Sequence, residues 1–280
     1  MLVIKRLWVL LLLSCMAMHG NAHQRSSSAT YLGNEAILVT APGGKVLFDP
    51  FFHTSFGIYQ LVPDDIKQAL MHGDAPYNDI SAIVVSHAHA DHFSADDVLS
   101  YLQAFPQTQL IAPKQAVDKV LERLKGHKSA KQIASQMHSV DLVLGDAPIS
   151  VEVSMIEFEA VRIPHSGWPG RAEIENIVFR VTLGNTSDGA STVMHMGDAD
   201  ADDEHYLPYK QHWRKRETDM AFPPYWFYDS AEGNDILNEI INARQSVGVH
   251  VPVAVPNRLK NSASDYFSRP GEQRDIAHQH

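Results

Sequence analysis

Apolar residues concentrate first in Leu7-Trp-Val-Leu-Leu-Leu-Leu13, behind Lys5 and Arg6 and ahead of small or polar residues reaching Gly20-Asn21-Ala22. The apolar stretch from Leu7 to Met18 is twelve residues, short of the ~20 that carry a helix across a bilayer. No stable membrane span is therefore predicted. A basic start, a short apolar centre and small residues at Gly20 and Ala22 form the pattern of a cleaved export signal over residues 1–22. A lipoprotein signal, with Leu12-Leu13-Ser14 leading into Cys15, is the second reading of the same stretch.

Beyond residue 22 the pattern becomes that of a folded domain over 23–280. Ala36–Thr40 and Lys45–Asp49 are strand-like runs around Ala41-Pro-Gly-Gly44, a hairpin signature. Ala82-Ile-Val-Val85 is continuously apolar and suits a strand buried on both faces. Ser94 with Asp97 three residues on marks a helix start, and Val98, Leu99, Tyr101 and Leu102 give that helix an apolar face. Gln109–Ala112 then reads as a strand and Gln115–Leu124 as a second amphipathic helix. From Ile149 the period shortens to two, with Ile149, Val151, Val153 and Met155 alternating with Ser150, Glu152 and Ser154. Further strands are predicted over 158–163, 176–183, 191–196, 220–222 and 247–251, and a helix over 236–243. The stretch after Pro256 is polar and predicts a surface tail. Strands with helices interspersed and no linker point to one α/β domain with two sheets.

Composition narrows the function classes. With 23 basic and 33 acidic residues the charge is −10, and it becomes −12 once residues 1–22 are removed. That balance disfavours nucleic acid as a partner. The single cysteine, Cys15, lies inside the predicted signal. The mature chain therefore has neither disulfide nor thiol chemistry, although an exported, periplasmic or secreted destination is oxidising.

Sixteen histidines change the picture. Ser86-His87-Ala88-His89-Ala90-Asp91-His92 follows the predicted strand 82–85 directly. Residues two apart on extended backbone point the same way, so His87 and His89 can grip one cation. A chain reversal before Ser94 lets Asp91 and His92 face a second position nearby. These donor types suit zinc, manganese or iron. Three more candidates end other predicted strands: His165, Asp198 after Gly197, and His250. His250, inside an apolar run, reads also as a core histidine, and His165 before Ser-Gly-Trp-Pro-Gly as a loop histidine.

The ordered set His87-x-His89-x-Asp91-His92, His165, Gly197-Asp198, His250 resembles the metallo-β-lactamase-fold hydrolase superfamily. The resemblance implies an αββα sandwich, two mixed sheets flanked by helices, with two divalent ions, zinc or else manganese or iron, at one edge. It implies that His87, His89 and His165 hold one ion, that Asp91, His92 and His250 hold the other, and that Asp198 bridges them. Asp49 in Leu47-Phe-Asp-Pro50 matches the family's first acidic motif, a support behind the ligands rather than a ligand. His195, three residues before Asp198, takes a similar supporting place or lies in the core. Asp91 and Asp198 are the expected catalytic carboxylates.

The implied activity is hydrolysis of a small ester, lactone, amide or phosphodiester by a hydroxide bridging the two ions. The same donors permit a mononuclear-iron persulfide-type dioxygenase held by His87, His165 and Asp198, and metal stoichiometry separates the two. True β-lactamase activity is disfavoured by a bridging Asp198 and by the lack of cysteine in the mature chain. A non-catalytic metal-binding protein has no replaced ligand to recommend it. Phe51, Phe52, Trp168 and Tyr225 are candidates for a small-molecule pocket wall, and ordinary core is the competing reading. His127, His138, His205, His212, His278 and His280 are expected at the surface. Substrate and oligomeric state are not encoded in any motif.

Overall fold

The computed structural model describes residues 27–184 and 189–277. The predicted export signal, Cys15, His278 and His280 lie outside the described residues. Among the described residues fourteen strands form: β1 Ser27–Gly33, β2 Ala36–Ala41, β3 Gly44–Phe48, β4 Ala82–Val84, β5 Gln109–Pro113, β6 Met137–Val140, β7 Ile149–Val153, β8 Ile156–Arg162, β9 Ile177–Leu183, β10 Ser191–His195, β11 Met220–Phe222, β12 Val247–Gly248, β13 Asp265–Tyr266 and β14 Gln273–Ile276. One sheet has seven strands in the order β14-β1-β2-β3-β4-β5-β6, the other five in the order β11-β10-β9-β8-β7.

Period-two patterning explains how the sheets stack. Along β2 and β3, Val39, Val46 and Phe48 face inward and meet Phe158, Phe179, Val181 and Val193 of the second sheet. Leu38 and Leu47 face outward, with Ile83 and Leu110, toward three helices: α1 Asp64–His72, α2 Ala95–Ala104 and α3 Lys114–Arg123. Outside the second sheet, Val178, Met194 and Ala221 are covered by Tyr206, Trp213, Phe227 and Ile236. Each fully buried Val, Leu or Phe contributes about 1.5–3 kcal/mol. The result is the four-layer αββα sandwich.

Sheet direction decides where chemistry can sit. Strands β3 to β6 run parallel, and β7 to β10 form an antiparallel meander in which β8 and β10 share a direction. The chain therefore leaves β3, β4, β8 and β10 just before Asp49, His87, His165 and Asp198 respectively. Ile177 N–H donates to Ser86 C=O at 2.9 Å, joining the two sheets at that edge.

Several elements differ from the pattern-based expectation. The helix predicted over 236–243 begins earlier, at Ala231, and passes into a π-helical turn over Ile236–Ile240. Only Val247–Gly248 of the predicted 247–251 strand pairs as such. The expected polar tail after Pro256 instead returns to the sheet, because β14 pairs antiparallel with β1 from Ile276↔Ser27 to Gln273↔Thr30, and Phe267 is buried against Tyr31. Ser94 does cap α2, its hydroxyl accepting from Asp97 N–H at 3.3 Å. No described helix is long and apolar enough to cross a membrane.

Candidate metal centre

Asp198 stands at the middle of the edge where the strands end. Its Oδ2 lies 3.2 Å from His165 Nε2 and 3.8 Å from His87 Nε2. Its Oδ1 lies 3.1 Å from His250 Nε2 and 3.3 Å from His92 Nε2. His89 completes the first group, its Nδ1 being 3.1 Å from both His87 Nε2 and His165 Nε2. Asp91 completes the second, its Oδ2 lying 3.6 Å from His250 Nε2 and 3.7 Å from His92 Nε2. All seven residues named from the sequence thus converge, as a group of four with Asp198 and a group of three, Asp91, His92 and His250, whose imidazoles Asp198 Oδ1 also faces.

The donor chemistry fits a pair of cations. Among the first group, imidazole nitrogens face each other at 3.1 Å, where only a shared proton or a cation relieves lone-pair repulsion. In the second, His92 Nε2, His250 Nε2 and Asp198 Oδ1 are buried without a hydrogen-bond partner among the described residues, a state that calls for an ion or water. Burial, reinforced by neighbouring imidazoles, holds His87 and His89 below the usual histidine range, so both are neutral donors. Burial alone would push the Asp198 carboxyl up, but His250, His92 and His165 outweigh it and hold that carboxyl well down. Burial would likewise lower His250, but Asp198 and Asp91 raise it to about 9. The same carboxylate raises His92 well above its ordinary value against the effect of burial.

The surroundings fix which nitrogen each imidazole presents. Asp49 accepts from Ser86 N–H at 2.7 Å and Ser86 Oγ–H at 2.5 Å, and its Oδ2 lies 2.9 Å from His92 Nδ1. His92 is thereby anchored through Nδ1 and offers Nε2 to the centre, the carboxylate–histidine pairing common behind metal ligands. Ser166 C=O lies 2.7 Å from His165 Nδ1 and does the same there. His195 is not part of either group: it stacks on Phe48 at 4.9 Å and its Nε2 meets Glu35 C=O at 3.0 Å. Two non-glycine residues here have left-handed backbone, Asp49 at φ 41 and His250 at φ 57; such conformations cluster where side chains must be aimed. Gly197 also has positive φ, and a Cβ there would lie 2.5 Å from Asn176 Oδ1 and 2.6 Å from Ser86 Cβ.

Two participants carry no sequence signature. Asn176 accepts from Asp198 N–H at 3.0 Å and donates through Nδ2 to Met196 C=O at 3.2 Å, setting the turn that presents Asp198. Glu35, at the β1–β2 turn, is fully buried with neither carboxylate oxygen bonded, its Oε2 3.8 Å from His92 Nδ1 and 3.7 Å from His195 Nε2. Burial pushes its carboxyl well above the usual range. A polar pair such as Asn34-Glu35 after Gly33 reads simply as a hairpin tip, which is why sequence reasoning passes over it.

A cavity of about 470 Å³ opens onto the centre, lined by His89, Asp91, Asp198, His250, Arg171 and the apolar loop Phe56, Ile58 and Tyr59. The aromatic candidates fall elsewhere. Phe51 and Phe52 are buried between the first sheet and its helices, with Phe51 against Tyr101. Trp168 borders a neighbouring cavity with Pro164, His205 and Tyr209. Tyr225 packs on Trp226 and lines neither. His127, His138, His205 and His212 are partly covered rather than freely exposed.

No curated protein matches the chain in sequence. Solved structures share its architecture. Igni18, a metallo hydrolase from Ignicoccus hospitalis, superposes with a TM-score of 0.56 at 15% identity, covering 91% of this chain and 100% of that one. The metallo-β-lactamase fold protein YhfI from Bacillus subtilis gives 0.55 at 12% identity, covering 89% and 98%. A variant of the β-hydroxylase CmlA, from Streptomyces venezuelae, gives 0.51 at 11% identity, covering 89% of this chain and 53% of that chain. At such identities the likeness establishes the fold alone. The model of the β-lactamase superfamily domain matches residues 28–212, most of the folded chain, and the protein belongs to that superfamily.

Proposed function

We propose that the protein is a dinuclear metal-dependent hydrolase of a small ester, lactone, amide or phosphodiester, exported by its first 22 residues. The observation that carries this reading is Asp198, which turns one oxygen to each of two complete donor groups. His87, His89, His165 and Asp198 Oδ2 would hold one divalent ion, and Asp91, His92, His250 and Asp198 Oδ1 the other. When bound, such ions acidify a water near neutral pH and polarise the scissile carbonyl or phosphoryl group. Asp198 would offset repulsion between them, and with the ions in place of the protons that His92 and His250 otherwise hold, five neutral imidazoles would leave net positive charge where an oxyanion develops. Asp91 lines the open cavity and is placed to accept the proton that the attacking water loses. Tyr59, edge-on to His250 with ring centroids 4.0 Å apart, closes one side.

The second group, Asp91, His92 and His250, is intact, which favours two ions over a single-iron dioxygenase. CmlA, a β-hydroxylase, shares this fold, so metal content is the deciding measurement. Elemental analysis of the purified chain should give two zinc or manganese ions, falling below one in Asp198→Ala. The loaded protein should then cleave a member of an ester, lactone and phosphodiester panel. One iron per chain, with no turnover on that panel, would refute the hydrolase reading. An intact mass beginning at residue 23 in the exported fraction would support the signal.

A further inference from the structure

The cavity over the metal centre has two unlike walls. One is the loop Ser55–Tyr59, in which Ile58 and Tyr59 N–H groups both donate to Ser55 C=O, at 2.8 and 3.0 Å. Phe56 and Gly57 turn the chain there with φ 49 and 69. Val253 N–H donates to Ile58 C=O at 2.9 Å, and Tyr59 bridges to Pro252, so the loop is pinned to the segment after His250. Yet Phe56 is 62% exposed and Ile58 48% exposed. A bulky residue in left-handed backbone is strained, and its ring leaves apolar surface in water. Neither cost returns anything to the fold. Exposed apolar residues gathered at a cavity mouth mark a ligand wall.

A guanidinium lines the same cavity. Among the described residues that line the cavity, Arg171 is the one arginine, and no lysine is among them. Its Nη1 lies 3.4 Å from Ser166 C=O and 3.5 Å from His165 Nδ1. Among the described residues it forms no ion pair within 4.0 Å, unlike Arg123, Arg180, Arg216, Arg244, Arg258, Arg269 and Arg274. Gly167 lies beneath it, and a Cβ there would already touch Arg171 Cδ at 3.4 Å. The guanidinium therefore sits one imidazole ring away from the centre, since the far nitrogen of His165 is the one that faces Asp198.

We propose that the substrate is an anionic amphiphile: an apolar acyl chain lies along Phe56 and Ile58, and an oxyanion group a few bonds from the cleaved linkage is held by Arg171. Acylated amino or hydroxy acids have this form, and so do acyl compounds bearing a phosphate. The distance between the walls is spanned by the reacting group over Asp91 and Asp198. This assignment deepens the hydrolase reading and rests on it for the cleaved bond, while the ligand chemistry itself is read from the walls.

Binding separates the two claims. The full chain loaded with zinc is titrated calorimetrically with N-decanoylglycine, N-decanoylglycinamide, N-acetylglycine and decyl phosphate. N-decanoylglycine should bind about ten- to hundredfold more tightly than its amide, the range of a charge-assisted hydrogen bond. Arg171→Gln should abolish that ratio. Phe56→Ser, and separately Ile58→Ser, should weaken the decanoyl acid about tenfold and narrow its advantage over the acetyl acid. All three positions are exposed at the surface, so folding is retained. Comparison with decyl phosphate tells whether the anion preferred is a carboxylate or a phosphate. Equal binding of acid and amide overturns the proposal. So does an acid preference that survives in Arg171→Gln, which would place the anion on the metals. Turnover of decanoyl esters is followed separately: binding as expected without any turnover leaves the ligand class standing and removes the hydrolase reading.

Discussion

Asp49 shows how much a residue can do without touching a metal. Both its oxygens are engaged, with Ser86 and with His92 Nδ1, so it locks the ring whose Nε2 faces the second group. Asp49→Asn keeps the shape but loses the charge, and should weaken metal binding about 10- to 100-fold. Competition against a chromogenic chelator measures this, and an unchanged affinity would show that Ser86 and packing alone hold His92. At this scale the legible residues were those whose chemistry is written contiguously. His87, His89, Asp91 and His92 fall within six positions after an apolar run, and strand geometry does the rest. Glu35 and Asn176 act across the fold on partners 57 and 22 residues distant, His92 and Asp198. No local pattern records such a relation. Phe51 and Phe52 follow a motif residue but lie buried against the helices, a direction that no local pattern records.

At the scale of elements, β8 and β9 carry a pair that stabilises the second sheet from outside. Arg180 is buried, donates to both Glu159 oxygens at 2.6 and 2.8 Å, and donates to Trp213 C=O at 2.6 Å. It therefore fastens the segment around 210–216 onto the sheet whose end presents His165. Burial would raise the Glu159 carboxyl, but His212 and Arg180 outweigh it and hold it at about 2, against an ordinary 4.5. A depressed folded-state value contributes stability above the unfolded value, and that stability is lost as pH falls. Wild type and Glu159→Gln should therefore differ by about 3 kcal/mol at neutral pH, since the variant leaves a buried guanidinium uncompensated. The gap should shrink from pH 4.5 down to 2. Urea titrations across that range test it, and a constant gap would mean that Glu159 stabilises by packing alone. Elements with strong period-two or continuous apolar character, such as β4, β8, β9 and β10, were readable in advance. Strands β1 and β14 were not: Ser27-Ser-Ala-Thr and Gln-Arg-Asp-Ile owe their conformation to pairing with each other, not to their own composition.

For the molecule as a whole, the centre is also a clasp. The seven-stranded sheet delivers His87, His89, Asp91 and His92, while the five-stranded sheet delivers His165 and Asp198, and His250 arrives from beyond β12. Each donor group therefore includes ligands from both halves of the sandwich. An ion there is held more tightly by the folded arrangement, because the unfolded chain keeps only His87, His89, Asp91 and His92 close together and scatters His165, Asp198 and His250. At a free metal concentration about 1,000 times Kd, one site adds about 4 kcal/mol to stability. For a domain of this length that is a rise in Tm of about 8 °C per site. Differential scanning calorimetry with zinc and then with excess chelator should show that difference in the wild type. Asp198→Ala should show little of it, because removing the shared carboxylate weakens both groups together. A shift of equal size in that variant would mean that the imidazoles and Asp91 clasp the two sheets without the shared carboxylate, and that Asp198 serves the reaction rather than the assembly of the site.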